Sequence, residues 1–385
     1  MRIVLLLATA IAVSHHASAQ QADAARPGAP RGIRWVDATQ LPIEGRPFDN
    51  KAEYYCRLPE RAKNDPALAK IQYASHFPAG MCYRFKTDST VLKVEWTLGS
   101  RCNYGWNSTP CLNNGIDMYR WYEGRGWWYV ATGKPGATQD VNTLTVPWKP
   151  GAACMVYLPI GARVKSVRFG IDEGAKIEPL GPRRSGVDKP VVVYGTSMAH
   201  GYCSSRPGMT WSAIVARRMD VPFVNQGYNG QGRLEPPMAG LLAEIDASAY
   251  CFLTLGWNMT LEEAEERFPK FLKELHSKRP DVPILLGEHY YVYGLDYGDG
   301  NPKNEFIARL VADLKREDPA FWANLYIVKM SDMFVADGDG TTDTVHVNDR
   351  GAWQIAEAFG NMLSKALGVP FPARHGLQMT DFSRR

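Results

Sequence analysis

The stretch Val191-Val-Val-Tyr-Gly-Thr-Ser-Met-Ala-His-Gly201 decides the fold. Three valines and a tyrosine predict a buried strand, and the small residues after them set Ser197 down where the strand stops. In open parallel sheets, ligands collect outside the carboxyl ends of the strands, so a hydroxyl placed there faces a cleft instead of the core. An ordinary strand-to-helix turn, capped by Thr196 or Ser197, would use the same residues. The rest of the chain decides between the two.

Downstream, the pattern alternates. Helices are predicted over Trp211 to Met219, Pro237 to Ile245, Leu261 to Ser277, Glu305 to Lys315 and Gly351 to Leu367, with strands over Val221 to Asn225, Ala249 to Leu255, Pro283 to Leu286 and Leu325 to Lys329. Five strands, each followed by a crossover, imply a parallel sheet covered on both faces. The stretch from Leu261 carries Ala264, Phe268, Phe271, Leu272 and Leu275 at helical spacing, a core-facing stripe.

Upstream the rhythm differs. Met81 to Phe85, Val91 to Trp96, Trp127 to Val130, Leu144 to Trp148 and Val164 to Phe169 are short, aromatic and alternating, separated by Gly, Asn, Asp and Pro. That pattern predicts an antiparallel sandwich or barrel instead of helices, and a β-sandwich is the expected form. Ile177 to Lys189, which includes Gly181-Pro-Arg-Arg-Ser-Gly186, reads as a linker.

The ends and the composition bound the rest. Arg2, an apolar run from Ile3 to Val13 and small residues Ala17-Ser-Ala19 form a secretory signal pattern, too short to span a bilayer. Removing it leaves about 365 residues, enough for two domains. The expected division is a signal peptide over 1–19, a flexible leader over 20–33, a β-sandwich over 34–185, an α/β domain over 186–370 and a tail over 371–385. The net charge of +4 is spread along the chain, which argues against nucleic acid as a partner, and no stable membrane anchor is expected. The 11 tryptophans and 18 tyrosines are an excess of which many belong to the core, but exposed rings also suit sugar faces. Of seven cysteines, Cys102 and Cys111 look like a disulfide-stapled loop; zinc is disfavoured because no CxxC pair or His cluster is present.

A nucleophilic Ser197 needs a base, an orienting group and oxyanion donors. Asp343-Thr-Val-His346 stands in a Gly-rich loop after the last strand, at the same sheet edge. An Asp three residues before a His can accept the imidazole Nδ1–H, which frees Nε2 to take the serine proton. Gly230, in the loop after the second strand, and Asn258, after the third, can donate to a developing oxyanion alongside the Ser197 amide.

In this order, Ser197, Gly230, Asn258 and His346 with Asp343 resemble the four blocks of the SGNH, or GDSL-like, hydrolases over roughly Lys189 to Leu367. The resemblance implies a flavodoxin-like three-layer α/β/α domain with a five-stranded parallel sheet, preceded by an all-β sandwich. It also implies Ser197 as nucleophile, His346 as base, Asp343 as its orienter, and Ser197, Gly230 and Asn258 as oxyanion hole, with no metal or organic cofactor. Thr196 and Met259 stand where many members carry Asp, which leaves subfamily and substrate open. Gly115-Ile-Asp-Met-Tyr119 is similar to the Gly-x-Asp-Leu-Tyr signature of the sandwich in one bacterial branch of these hydrolases, with Met118 for Leu. Read from the residues alone, the same stretch could be a binding loop or strand residues that pack the sandwich.

The implied activity is exported serine esterase chemistry on O-acetyl groups of a polysaccharide or oligosaccharide such as xylan or xyloglucan. Trp257, Tyr290, Tyr291 and Tyr293 are the candidates for sugar stacking. The rival readings are a lipid or thioester acylhydrolase of the same family and a non-catalytic carbohydrate-binding protein with a vestigial hydrolase domain. No Gly-x-Ser-x-Gly elbow surrounds Ser197, and Asp337 to Asp343 lacks the fifth-position and closing ligands of a calcium loop. The sugar, the ester position and the oligomeric state are not readable from these residues.

Overall fold

The computed structural model describes residues 32–102, 105–289, 301–333 and 338–372. From Ile33 onward these residues cluster as one compact unit.

Ten strands come first: β1 Ile33–Asp37, β2 Ile43–Glu44, β3 Cys82–Thr87, β4 Val91–Leu98, β5 Ile116–Tyr122, β6 Gly126–Gly133, β7 Val141–Pro147, β8 Ala153–Tyr157, β9 Val164–Asp172 and β10 Ile177–Pro179. They form two antiparallel sheets, one in the order β1-β9-β4-β7 and one in the order β10-β3-β8-β5-β6, with β2 added to β3. β4 shows why: every second residue is buried, so Leu92, Val94, Trp96 and Leu98 enter the space between the sheets. There they meet Phe85, Met118, Val156, Phe169 and Ile171 in one cluster. The buried indole of Trp96 donates to the Asn114 carbonyl at 2.9 Å, as a buried polar tip must.

The last five strands, β11 Val191–Gly195, β12 Phe223–Gly227, β13 Ala249–Leu253, β14 Ile284–Gly287 and β15 Leu325–Val328, form a wholly parallel sheet in the order β12-β11-β13-β14-β15. All five residues of β11 are buried. Val191 and Val193 face one helical layer while Val192 and Tyr194 face the other, as a period of two requires. The chain leaves β11 for β12 on one side and then crosses to β13 on the other, so β11 lies at the topological switch.

Three expectations need correction. The region 34–172 is not purely strands: Ala69–Ser75 is helical, and Leu58, Leu68, Ile71 and Phe77 pack against Tyr228, Leu234 and Met238 of the parallel-sheet half. Leu68, Ile71 and Ala74 recur at helical spacing, a signal hidden by the surrounding strands. The linker is also more ordered than a spacer, because β10 pairs with β3 and Arg183 is buried between Glu44 and Asp220. The Cys102–Cys111 disulfide is not formed: both are free thiols. The Asn114 side chain holds that turn instead, accepting from the Cys102 amide at 2.8 Å and donating to its carbonyl at 2.9 Å.

Candidate active site

Ser197 begins a short helix, Ser197–His200, directly after β11 and is 2% exposed. The sharp turn depends on Gly195: its φ is +150°, and a Cβ there would lie 2.1 Å from the Leu253 carbonyl oxygen. Only glycine passes between the strands at that point.

The His346 Nε2 lies 3.0 Å from the Ser197 Oγ, and its Nδ1 lies 2.7 Å from the Asp343 Oδ2. An ionised carboxylate only accepts, so Nδ1 carries the hydrogen and Nε2 is left to accept from the serine hydroxyl. The three-residue spacing from Asp343 to His346 works because the Asp343 Oδ1 also accepts from the Val345 amide at 3.0 Å and the His346 amide at 2.7 Å. Thr344 reaches a φ of +71° to close this turn. Burial pushes the Asp343 carboxyl up, but hydrogen bonds from the His346 amide, the His346 ring and Asn107 outweigh it and hold the group below the ordinary carboxylate range.

Gly230 and Asn258 lie on the loops that leave β12 and β13, the two strands flanking β11. In the first loop the Gly227 amide is taken by the Asn225 side chain and the Gly232 amide by Glu235. Gly230, at a φ of +73° with open space around it, is the glycine of that loop whose amide has no partner among the described residues. The second loop is fixed by Lys303, whose ammonium donates to the Gly256 carbonyl at 3.0 Å. Burial pushes the Lys303 ammonium down. Trp257 in that loop is 62% exposed, a ring face open to solvent. Tyr290, Tyr291 and Tyr293 lie outside the described residues.

Other residues at the site carry no sequence signal of their own. Asn107, on the loop before the helix Pro110–Asn114, donates to the Asp343 Oδ2 at 2.6 Å. The Tyr202 ring stands edge-on to the His346 ring at 4.8 Å. Arg57, fully buried, donates to the carbonyls of Ala74, Phe77, Asn225 and Gly227 and so holds the end of β12. Cys203, Asp343 and His346 bring a thiol, a carboxylate and an imidazole within 4.8 Å of one another, a donor set that could hold a cation such as zinc, although the carboxylate and imidazole already bond each other. Beside them a cavity of about 450 Å³ is lined by Trp106, Asn107, Thr109, Cys203, Ser205 and Thr342, among others. Trp106 is 84% exposed at its edge.

The Gly115 to Tyr119 motif is strand rather than binding loop, and it joins the two halves. Asp117, wholly buried, accepts from Arg206 at 2.7 Å, the Gly208 amide at 2.9 Å and Thr132 at 2.6 Å. Gly208 has no room for a side chain, since a Cβ would lie 2.4 Å from the Tyr119 hydroxyl.

A buried serine hydroxyl at a parallel-sheet switch point lies within hydrogen-bond distance of an imidazole that is bonded to a carboxylate, the arrangement that a serine nucleophile requires. Residues 188–364 match the model of the GDSL-like lipase/acylhydrolase family, and residues 33–177 match the GxDLY model, the N-terminus of SGNH-hydrolase-type esterases. The chain belongs to this family and is a carboxylic ester hydrolase. Among solved structures, a candidate GDSL-like lipase from Bacteroides ovatus is 28% identical over 89% of this chain and 100% of its own, with a TM-score of 0.77. Two others share the fold at lower identity. The salicylyl-acyltransferase SsfX3 of a tetracycline biosynthetic pathway is 18% identical over 89% of this chain and 100% of its own, with a TM-score of 0.69. A family two carbohydrate esterase from Clostridium thermocellum, in complex with cellohexaose, is 14% identical over 76% of this chain and 98% of its own, with a TM-score of 0.54. No curated protein matches the chain.

Proposed function

We propose that this esterase is exported and removes acetyl groups from a polysaccharide or oligosaccharide through an acyl-enzyme on Ser197. The observation that carries the reading is the chain of contacts from the Ser197 Oγ to His346 at 3.0 Å and from His346 to Asp343 at 2.7 Å. The Ser197 Oγ attacks the acetyl carbonyl carbon while its proton passes to the His346 Nε2, and Asp343 stabilises the imidazolium. The amides of Ser197 and Gly230 and the Asn258 side chain donate to the oxyanion. The C–O bond to the sugar breaks, His346 returns the proton to the departing sugar hydroxyl, and water then releases acetate by the same route.

The sugar part of the reading rests on the exposed rings of Trp106, on the cavity beside Asn107 and Cys203, and of Trp257, on the loop that leaves β13, and on the fold shared with carbohydrate esterases. Tyr290, Tyr291 and Tyr293, which follow β14, remain candidates for the same role. Export rests on the Arg2, Ile3–Val13 and Ala17–Ala19 pattern. Among the described residues, no helix is long and apolar enough to cross a membrane. The test compares acetate release from acetylated xylan and xyloglucan with hydrolysis of nitrophenyl esters of long acyl chains. Faster turnover of the acetylated polysaccharides is expected; a preference for long acyl chains would replace this reading with that of a lipid acylhydrolase.

A further inference from the structure

We propose that Asn107, supplied by the sandwich half of the chain, is a positioning residue for Asp343, so that the triad is completed from both halves; this rests on the reading of Ser197, His346 and Asp343 given above. Its amide nitrogen donates to the Asp343 Oδ2 at 2.6 Å, the same oxygen that accepts from His346. Its amide oxygen accepts from the Tyr202 hydroxyl at 3.0 Å. A carboxylate accepts only, so the Asn107 nitrogen must face Asp343, and the tyrosine proton then has the amide oxygen as its acceptor. Asp343 thereby receives four hydrogen bonds: two backbone amides on Oδ1, and the imidazole and Asn107 on Oδ2. That number fills the acceptor sites of a carboxylate and leaves it one orientation.

The loop that carries Asn107 is itself anchored. The Thr109 hydroxyl donates to the Ser205 carbonyl at 2.6 Å, and the Asn113 side chain donates to the Ser108 hydroxyl at 2.8 Å. Tyr202 links the arrangement back to the base, because its hydroxyl holds Asn107 while its ring edge packs on His346. A carboxylate held this firmly keeps the imidazole in the tautomer and direction that acyl transfer needs, without touching the substrate.

The test uses the full chain with p-nitrophenyl acetate. Asn107→Leu keeps the approximate volume and removes the donor; kcat is expected to fall about tenfold or more while KM changes less than about twofold, because the group acts on the transition state and not on substrate binding. Tyr202→Phe removes only the hydroxyl that holds Asn107, and a fall in kcat of roughly two- to fivefold is expected, again with KM unchanged. In an Asp343→Asn background, Asn107→Leu should cost less than about twofold more, since residues that act through one another are not additive. Wild-type kcat in Asn107→Leu, or the same fold loss in both backgrounds, would overturn the inference while leaving the triad reading standing. Wild-type kcat in Asp343→Asn would instead overturn the triad reading itself. If Asn107→Leu fails to fold, as read by circular dichroism, Tyr202→Phe decides: an unchanged kcat counts against the inference.

Discussion

Each nitrogen of His346 meets a partner, and each contact has its own local cause. The Asp343 side is made by a tight turn in which the carboxylate accepts the amides two and three residues on, so the short Asp-to-His spacing already contains the geometry. The Ser197 side is made by Gly195, whose missing Cβ lets the chain turn against Leu253. Asn258 belongs at the same scale. Its side-chain amide has no partner among the described residues, which leaves it available to a developing oxyanion. Asn258→Ala should lower kcat for nitrophenyl acetate by about 10²- to 10³-fold with KM little changed, as loss of one oxyanion donor does elsewhere. Steady-state kinetics checks this, and a wild-type kcat would remove Asn258 from the oxyanion hole. Ser197, Asp343 and His346 were readable because a strand end and a three-residue spacing are local patterns. Asn107 was not, since it stands 236 residues from its partner in a loop with no periodicity.

At the scale of elements, the parallel sheet and its helices were legible because each segment carries a clean period. The expected helix from Leu261 runs over Leu261–Lys278, opened by a capping box between Thr260 and Glu263, with Ala264, Phe268, Phe271, Leu272 and Leu275 buried as the spacing predicts. The sandwich strands were legible for the same reason, and β4 alternates without a break. The helix Ala69–Ser75 was missed because it is short and its apolar residues pack on the other half of the chain. Composition within a window cannot show which core a segment joins. Arg57 is a further case: a lone arginine reads as surface, yet here it replaces water for two carbonyls at the end of β12 and for those of Ala74 and Phe77. The linker was misread because Gly, Pro and Ser signal a turn without showing that Arg183 within it is buried.

At the scale of the whole molecule, one of the contacts that join the two halves is built on a buried guanidinium. Arg183 bonds Glu44 beside β3 and, at 2.9 Å, Asp220 at the end of the helix Trp211–Met219. Burial pushes the Asp220 carboxyl up, but the charge of Arg183 and the Arg184 amide outweigh it and leave the group below its ordinary value of 3.8. A depressed folded-state pKa contributes stability that is present above the unfolded pKa and is lost as pH falls through the folded one. Asp220→Asn keeps the left-handed cap at a φ of 50°, which asparagine tolerates. It should cost roughly 2–3 kcal/mol near pH 7, with the gap to wild type flat down to about pH 5 and narrowing below it. Urea unfolding across that range reads the gap, and one that stays constant down to pH 3 would contradict the assignment. The account as a whole stands on Ser197 at the end of β11. Turnover of p-nitrophenyl acetate by wild type and by Ser197→Ala tests it most directly: the account predicts a loss of at least about 10⁴-fold in kcat with the fold retained, whereas equal rates in the two proteins would contradict it.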